Sequence, residues 1–142
     1  MLHSAPVDEI TAAQLYPLLA LRSAVFVVEQ ECLYVDLDGQ DLLPTTLHMW
    51  WQPADELHGY LRLLRDPDGT HRIDRVCTVK QARGTGLGVL LMKSAMDQIG
   101  DEPAVLEAQA YATAFYTRFG FVPTGDPYLD DGIEHITMRR VP

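Results

Sequence analysis

Gln81-Ala82-Arg83-Gly84-Thr85-Gly86-Leu87-Gly88 sets three glycines within five positions, immediately ahead of an amphipathic run. In that run Leu87, Leu90, Leu91, Ala95 and Ile99 recur at helical spacing, while Lys93, Asp97 and Gln98 fall off the stripe. Residues 72–79, just before the loop, are rich in strand formers. Strand, glycine turn and helix in this order call for a sheet with a covering helix. The turn then exposes backbone N–H groups at the positive end of the helix dipole, and glycine lets an anion approach them closely. Arg83 can add a charge-assisted, bidentate contact to phosphate oxygens. The loop therefore suits a pyrophosphate. The pattern alone leaves open a purely structural role, in which Gly84 and Gly86 shape the turn and Gly88 lets the helix pack close.

The rest of the chain is punctuated at regular intervals. Ile10-Thr11-x-x-Gln14-Leu15 has the form of a helix start, with Thr11 and Gln14 as a capping box and Ile10 against Leu15 as a staple. Pro17 conflicts with a regular helix there, so the expectation is a short first turn followed by a helix over about residues 15–26. Residues 36–41, Asp-Leu-Asp-Gly-Gln-Asp, read as a loop, and their three carboxylates either favour a cationic ligand or are simply solvated. Residues 46–51, 58–64 and 72–79 are strand-like, and the turn signals between them predict antiparallel hairpins. Gly100 and Pro103 end the long helix, and residues 104–108 suit a buried strand. Ala112, Phe115, Tyr116 and Phe119 mark one face of a short helix closed by Gly120, and residues 135–140 form a last strand. The class is a mixed α/β sheet covered by helices.

Composition narrows the function. A chain of 142 residues, 47% hydrophobic, is one domain spanning 1–142. Twenty acidic against eleven basic residues, a net charge of -9 and no basic cluster argue against a nucleic-acid partner. Cys32 and Cys77 cannot build a disulfide framework and suit a reducing compartment. The apolar run 18–28 is interrupted by Arg22 and lacks a basic leader, so it reads as a core helix and not as an export signal or membrane anchor. The expected setting is cytoplasmic. Oligomeric state is left open, a homodimer among the options.

Two nucleotide-binding patterns fail on spacing. A P-loop needs Gly-Lys-Ser/Thr at its end, where this chain has Gly88-Val89-Leu90. A dinucleotide fingerprint needs Gly-x-Gly-x-x-Gly after a first strand, whereas three strands predicted to be antiparallel precede this loop. Arg83-Gly84-Thr85-Gly86-Leu87-Gly88 instead resembles the Q/R-x-x-G-x-G/A loop of the GNAT superfamily of N-acetyltransferases, and Ala112-x-x-Phe115-Tyr116-x-x-Phe119-Gly120-Phe121 resembles a second segment of that superfamily. The stretch Arg22-Ser23-Ala24-Val25-Phe26-Val27-Val28-Glu29-Gln30-Glu31-Cys32, with Asp36-x-Asp38-Gly39-x-Asp41 and Pro127-Tyr128-Leu129-x-Asp131-Gly132-Ile133-x-His135, is similar to the ElaA-like branch.

The resemblance implies a mixed sheet of six to seven strands, antiparallel on its N-terminal side, with a bulged strand splayed from its parallel neighbour. It implies acetyl transfer from acetyl-CoA to an amine by direct attack. The main chain of Val76, Cys77 and Thr78 would pair with pantetheine and the acyl carbonyl, and Arg83, Gly84, Thr85, Gly86, Leu87 and Gly88 would hold the pyrophosphate. Gln109 stands where relatives place an asparagine on the cofactor arm, and Lys80 where proline is frequent. Tyr116 takes the position of the acid that protonates the departing thiolate. Cys77 reads as a buried small hydrophobe and not a nucleophile. For the base, Glu29 is preferred over His48 and His135, with His48 the more structural of the two histidines. No metal is expected, because the residues after Asp36-x-Asp38-Gly39 do not continue a calcium loop. A non-catalytic CoA-binding module is the alternative reading.

Overall fold

Thr11 opens the first helix as its spacing predicts: Gln14 N donates to Thr11 Oγ1 at 3.2 Å, and Thr11 N donates to Gln14 Oε1 at 2.9 Å. The helix departs from expectation after that. In the computed structural model, which describes residues 1–31 and 35–141, α1 runs Ala12–Arg22 straight through Pro17. The missing donor at Pro17 orphans the Ala13 carbonyl, which lies in the exposed first turn where water reaches it. Beyond Arg22 the winding loosens to a π-helix over Ser23–Glu29, closed by Gln30 N donating to Val25 O at 3.0 Å. By length and composition Ala12–Glu29 could cross a membrane. Here it lies along the sheet, with Leu18, Leu21 and Val25 packed on Trp50, Tyr60 and Cys77 and with Arg22 fully buried. Cys32 lies outside the described residues, so its relation to Cys77 does too.

The sheet has seven strands. β1 (Leu2–Pro6), β2 (Leu47–Trp51), β3 (Gly59–Arg65) and β4 (His71–Thr78) form an antiparallel meander. The helix α2 (Leu87–Ile99) then crosses over to β5 (Ala104–Gln109), which joins β4 in parallel. After α3 (Thr113–Thr117) come β6 (Val122–Asp130) and β7 (Ile133–Arg140), and β7 inserts to give the order β1-β2-β3-β4-β5-β7-β6. Neither edge strand was legible beforehand. All nine residues of β6 are exposed, and its two prolines and glycine carry no strand signal. An edge strand tolerates them because half of its backbone donors have no ladder to join.

The main core lies between the sheet and α2, where Leu87, Leu91, Met92, Ala95 and Ile99 meet Met49, Leu61, Leu63, Ile73 and Leu106. Leu90, expected on that stripe, is 38% exposed, and Met92 takes its place. Gly59 is required by this packing: a Cβ there would stand 2.9 Å from Leu87 Cδ2 and 3.0 Å from Leu91 Cδ1.

Two features open the sheet at its centre. The β3–β4 register slips between Tyr60 and Arg62, opposite Arg75, which has φ +53°. The parallel β4–β5 ladder holds just two pairs, His71 with Ala104 and Arg72 with Val105. From there to their C-terminal ends the two strands part.

Candidate active site

The residues that follow β4 build an anion cradle. A short 3₁₀ turn over Lys80–Ala82 brings the chain to Arg83, and Gly84 and Gly86 then adopt φ +78° and +87°. L-residues enter that region only with strain, and open space lies where either Cβ would stand. Gly86 caps α2 with no side chain closing the helix end, so the first-turn amides face outward along the dipole. Gly88 is the packing glycine: a Cβ on it would touch Phe115 Cζ at 3.4 Å. Thr85 steadies the turn through a hydrogen bond from Oγ1 to the Ala82 carbonyl.

Arg83 is engaged from the other side. Its Nη1 donates to Glu29 Oε2 at 2.6 Å, and its Nη2 donates to Glu29 Oε1 at 3.1 Å and to the Thr78 carbonyl at 3.1 Å. Glu29 comes from the last residue of the π-helix, and the hydrogen bond from Arg83 holds its carboxyl below the usual range. This corrects the expectation for the base. A carboxylate clamped by a guanidinium is a weakened proton acceptor, and Glu29 lines no part of the cavity described next.

Where β4 and β5 part, a cavity of about 380 Å³ opens between them. Val76 and Asp74 line it from β4, Glu107 and Gln109 from β5, Tyr116 from α3 and His135 from β7. Phe26 and Gln30 wall it at the helix end, and Gln109 Nε2 donates to Gln30 Oε1 at 3.1 Å. The predicted Val76, Gln109 and Tyr116 thus meet in one space. Cys77 does not: its thiol turns into the α1 core, 5% exposed, and burial pushes it up to about 12. That leaves only its main chain to serve a ligand.

Tyr116 packs edge-on against Phe115, 5.1 Å between centroids. Its hydroxyl has no hydrogen-bond partner among the described residues, and burial, with a smaller effect from Tyr111, pushes it up to about 12. The group therefore keeps its proton throughout the neutral range. Glu107 is fully engaged, accepting from Tyr128 Oη at 2.7 Å, from Thr137 Oγ1 and from Arg72 Nη1 at 2.8 Å. Burial raises its pKa, but those donors outweigh it and hold the carboxyl below the usual range. His48 lies elsewhere, fully buried between Tyr60 Oη at 2.7 Å and the Asp41 carbonyl at 3.1 Å. Burial lowers its pKa, as suits a neutral structural histidine.

In the loop over residues 36–41, Leu37 to Gln40 are exposed, but the three carboxylates are held by arginines. Arg22, 0% exposed, donates from Nε to Asp36 Oδ2 at 3.1 Å and from Nη1 to Asp41 Oδ1 at 2.5 Å. Arg62, also 0% exposed, forks onto Asp38 and Asp74 and reaches Asp41. Arg75 adds Asp36 at 2.7 Å. The carboxylates read as a possible cation lure are spent on arginines, and the network fixes this loop beside the cavity wall formed by Asp74 and Arg75. Sequence reasoning passed over Arg62, although an arginine inside the apolar strand Leu61-Arg62-Leu63-Leu64 is the signal of a buried partner. Among the described residues no three His, Cys, Asp or Glu side chains converge to hold a metal.

The family description "Acetyltransferase (GNAT) domain" matches residues 21–141. A UPF0039 protein of Mycobacterium tuberculosis is 47% identical over 136 residues, covering 93% of this chain and 87% of that one. Protein ElaA of Escherichia coli is 42% identical over 139 residues, covering 94% and 91%, and its crystal structure superposes with a TM-score of 0.93 over 99% of this chain and 98% of that one. A crystal structure described as an acyl-CoA N-acyltransferase from Pseudomonas aeruginosa, 42% identical, superposes with a TM-score of 0.94 over 99% of both chains.

Proposed function

The chain belongs to the GNAT acetyltransferase family, and from that premise we propose that it transfers an acetyl group from acetyl-CoA to an amine by direct attack. The observation that carries the reading is the parting of β4 from β5 after two residue pairs, over a cavity that holds a phenol without a hydrogen-bond partner among the described residues. The gap leaves β4 main chain at Val76, Cys77 and Thr78 available to an extended pantetheine arm. Gly84 and Gly86, with open space where a Cβ would stand, and the amides that open α2 suit a pyrophosphate. Arg83 is close enough to join them once it leaves Glu29, so the carboxylate acts as a placeholder for the cofactor's anion.

Tyr116 serves the leaving group. A phenol pushed up to about 12 is a weaker acid than a thiol, whose ordinary value is about 8.5. It therefore works best as a hydrogen-bond donor to the departing sulfur, passing a proton on only as its own is restored. Cys77 is too deeply buried and too weakly acidic to form an acyl-enzyme, which favours direct attack.

Two measurements test the proposal. Saturating acetyl-CoA should raise the melting temperature, since a ligand at 100 times its Kd adds about 2.7 kcal/mol. Free thiol should appear from acetyl-CoA when primary amines such as benzylamine, spermidine or a lysine peptide are supplied. Tyr116→Phe should lower kcat by at least about 10-fold with CoA affinity unchanged. Stabilisation by CoA without thiol release from any amine would make the protein a CoA-binding module instead.

A further inference from the structure

We propose that His135 is the general base that takes the proton from the attacking amine, a proposal that rests on the acyl-transfer reading above. Strand register puts His135 on β7 directly across from Gln109 on β5 and from Tyr128 on β6. Alternate residues Ile136 and Met138 turn to the α2 core, so His135 and Thr137 belong to the opposite, polar face together with Glu107 and Gln109. His135 and Tyr116 line the same cavity.

The ring's tautomer is decided locally. His135 Nδ1 lies 2.8 Å from the Ile133 carbonyl oxygen. A carbonyl can only accept, so Nδ1 carries the hydrogen and Nε2 keeps its lone pair. Among the described residues Nε2 has no hydrogen-bond partner. The ring plane is held by stacking on Tyr128, 5.9 Å between centroids and 22° between planes. Tyr128 is in turn anchored by donating to Glu107 at 2.7 Å, and Arg72 balances the charge of that carboxylate. A fixed ring with one committed and one open nitrogen is the arrangement a general base needs.

The competing acceptors are out of reach or engaged. Glu29 lines no part of the cavity and stays outside it when Arg83 turns to the cofactor, His48 is buried between Tyr60 and the Asp41 carbonyl, and Glu107 accepts three hydrogen bonds. Other charged or titratable groups share the cavity with His135. From β4 these are Arg72, Asp74 and Arg75; from the end of β6 and the turn after it, Asp130 and Asp131; from the segment before α3, Tyr111.

The protons balance. An ammonium acceptor gives one proton to Nε2, which later releases it to solvent. The amine nitrogen then bonds to the thioester carbon, and the carbon–sulfur bond breaks with its electron pair on sulfur. The thiolate receives a proton through the Tyr116 hydroxyl, which is restored by the second proton that the new amide nitrogen sheds.

The test compares His135→Asn with His135→Gln in the full chain, using thiol release from acetyl-CoA. Benzylamine, protonated at neutral pH, and methoxyamine, already neutral there, are the probe acceptors. Asparagine can keep the donor to the Ile133 carbonyl but has no group at the Nε2 position. Both variants should lose roughly 100- to 10,000-fold in kcat/KM with benzylamine and much less with methoxyamine. Acetyl-CoA binding should be unchanged, and added imidazole should restore part of the rate with benzylamine. Full activity in His135→Asn, or equal losses with both acceptors and no rescue by imidazole, overturns the base while leaving acyl transfer standing. No thiol release by the wild-type protein with either amine, despite acetyl-CoA binding, overturns the transfer reading and the base with it.

Discussion

Arg62→Met tests the buried charge network at its centre. The guanidinium is 0% exposed and makes five hydrogen bonds. Nε and Nη2 reach the two oxygens of Asp74 at 2.8 and 2.7 Å, Nη1 and Nη2 those of Asp38 at 2.9 and 2.9 Å, and Nη1 also Asp41 at 3.0 Å. Methionine fills much of the same volume, so the chief loss is electrostatic. Asp41 keeps Arg22, whereas the cation left to Asp38 and Asp74 is Arg75 at 3.5 Å, with Gln40 still donating to Asp38. Breaking a buried pair from one side costs about 3–5 kcal/mol, a large part of a domain's ~5–15 kcal/mol total. At about 4 °C per kcal/mol the melting temperature should fall by ~12–20 °C.

The pH dependence has a definite sign. Burial is the largest influence on Asp38 and Asp41 and raises both, but hydrogen bonds from Arg62 and Gln40 to Asp38, and from Arg22 to Asp41, outweigh it and hold both below the usual carboxylate range. A depressed carboxylate stabilises the fold fully above its unfolded value of about 3.9, and that stabilisation is lost as pH falls through the folded values. Arg62→Met relieves the depression. The gap between wild type and variant should therefore be widest near neutrality and narrow below about pH 4. Urea titrations at about pH 7 and pH 3.5 read both effects. A loss under about 1 kcal/mol at neutrality, the level of an exposed pair, or a gap independent of pH, refutes the reasoning.

Other outcomes are equally specific. Glu29→Gln should tighten CoA binding roughly two- to five-fold in calorimetry by freeing Arg83, and Arg83→Ala should weaken it roughly 10- to 100-fold; weaker binding in Glu29→Gln would mean that the carboxylate positions Arg83 instead of occupying it. Gly59→Ala should lose about 1–3 kcal/mol of stability, because its Cβ would press on Leu87 and Leu91 at 2.9 and 3.0 Å, and an unchanged melting curve would show that α2 shifts freely. Cys77, buried with its thiol pushed up to about 12, should resist iodoacetamide in the native protein and react at the unfolding rate, as followed by peptide mass spectrometry; rapid native labelling would contradict the packing of α1 on Cys77.

Where a feature depends on a few neighbouring residues, it was legible in the chain. The Thr11–Gln14 capping box, the three central strands, the helix after Gly86 and the positive φ at Gly84 and Gly86 all follow from periodicity or dihedral demand within one turn or one pleat. Tyr116 and Gln109 were named through the family resemblance of the segments that hold them, and the fold sets both on the cavity. Tertiary structure decided whatever depends on distance in space between residues far apart in sequence. Asp36, Asp38 and Asp41 read as solvated until Arg22, Arg62 and Arg75 arrived from three other elements. Glu29 looked free to act as a base until the end of the π-helix set it on Arg83, 54 residues away. β6 became a strand only because β7 offered it a ladder, and that pairing also turned His135 from one candidate among three into the cavity's open imidazole nitrogen. Side-chain charge is written in the sequence, but whether it is neutralised, buried or left available is settled by which other charges the fold brings within hydrogen-bond reach.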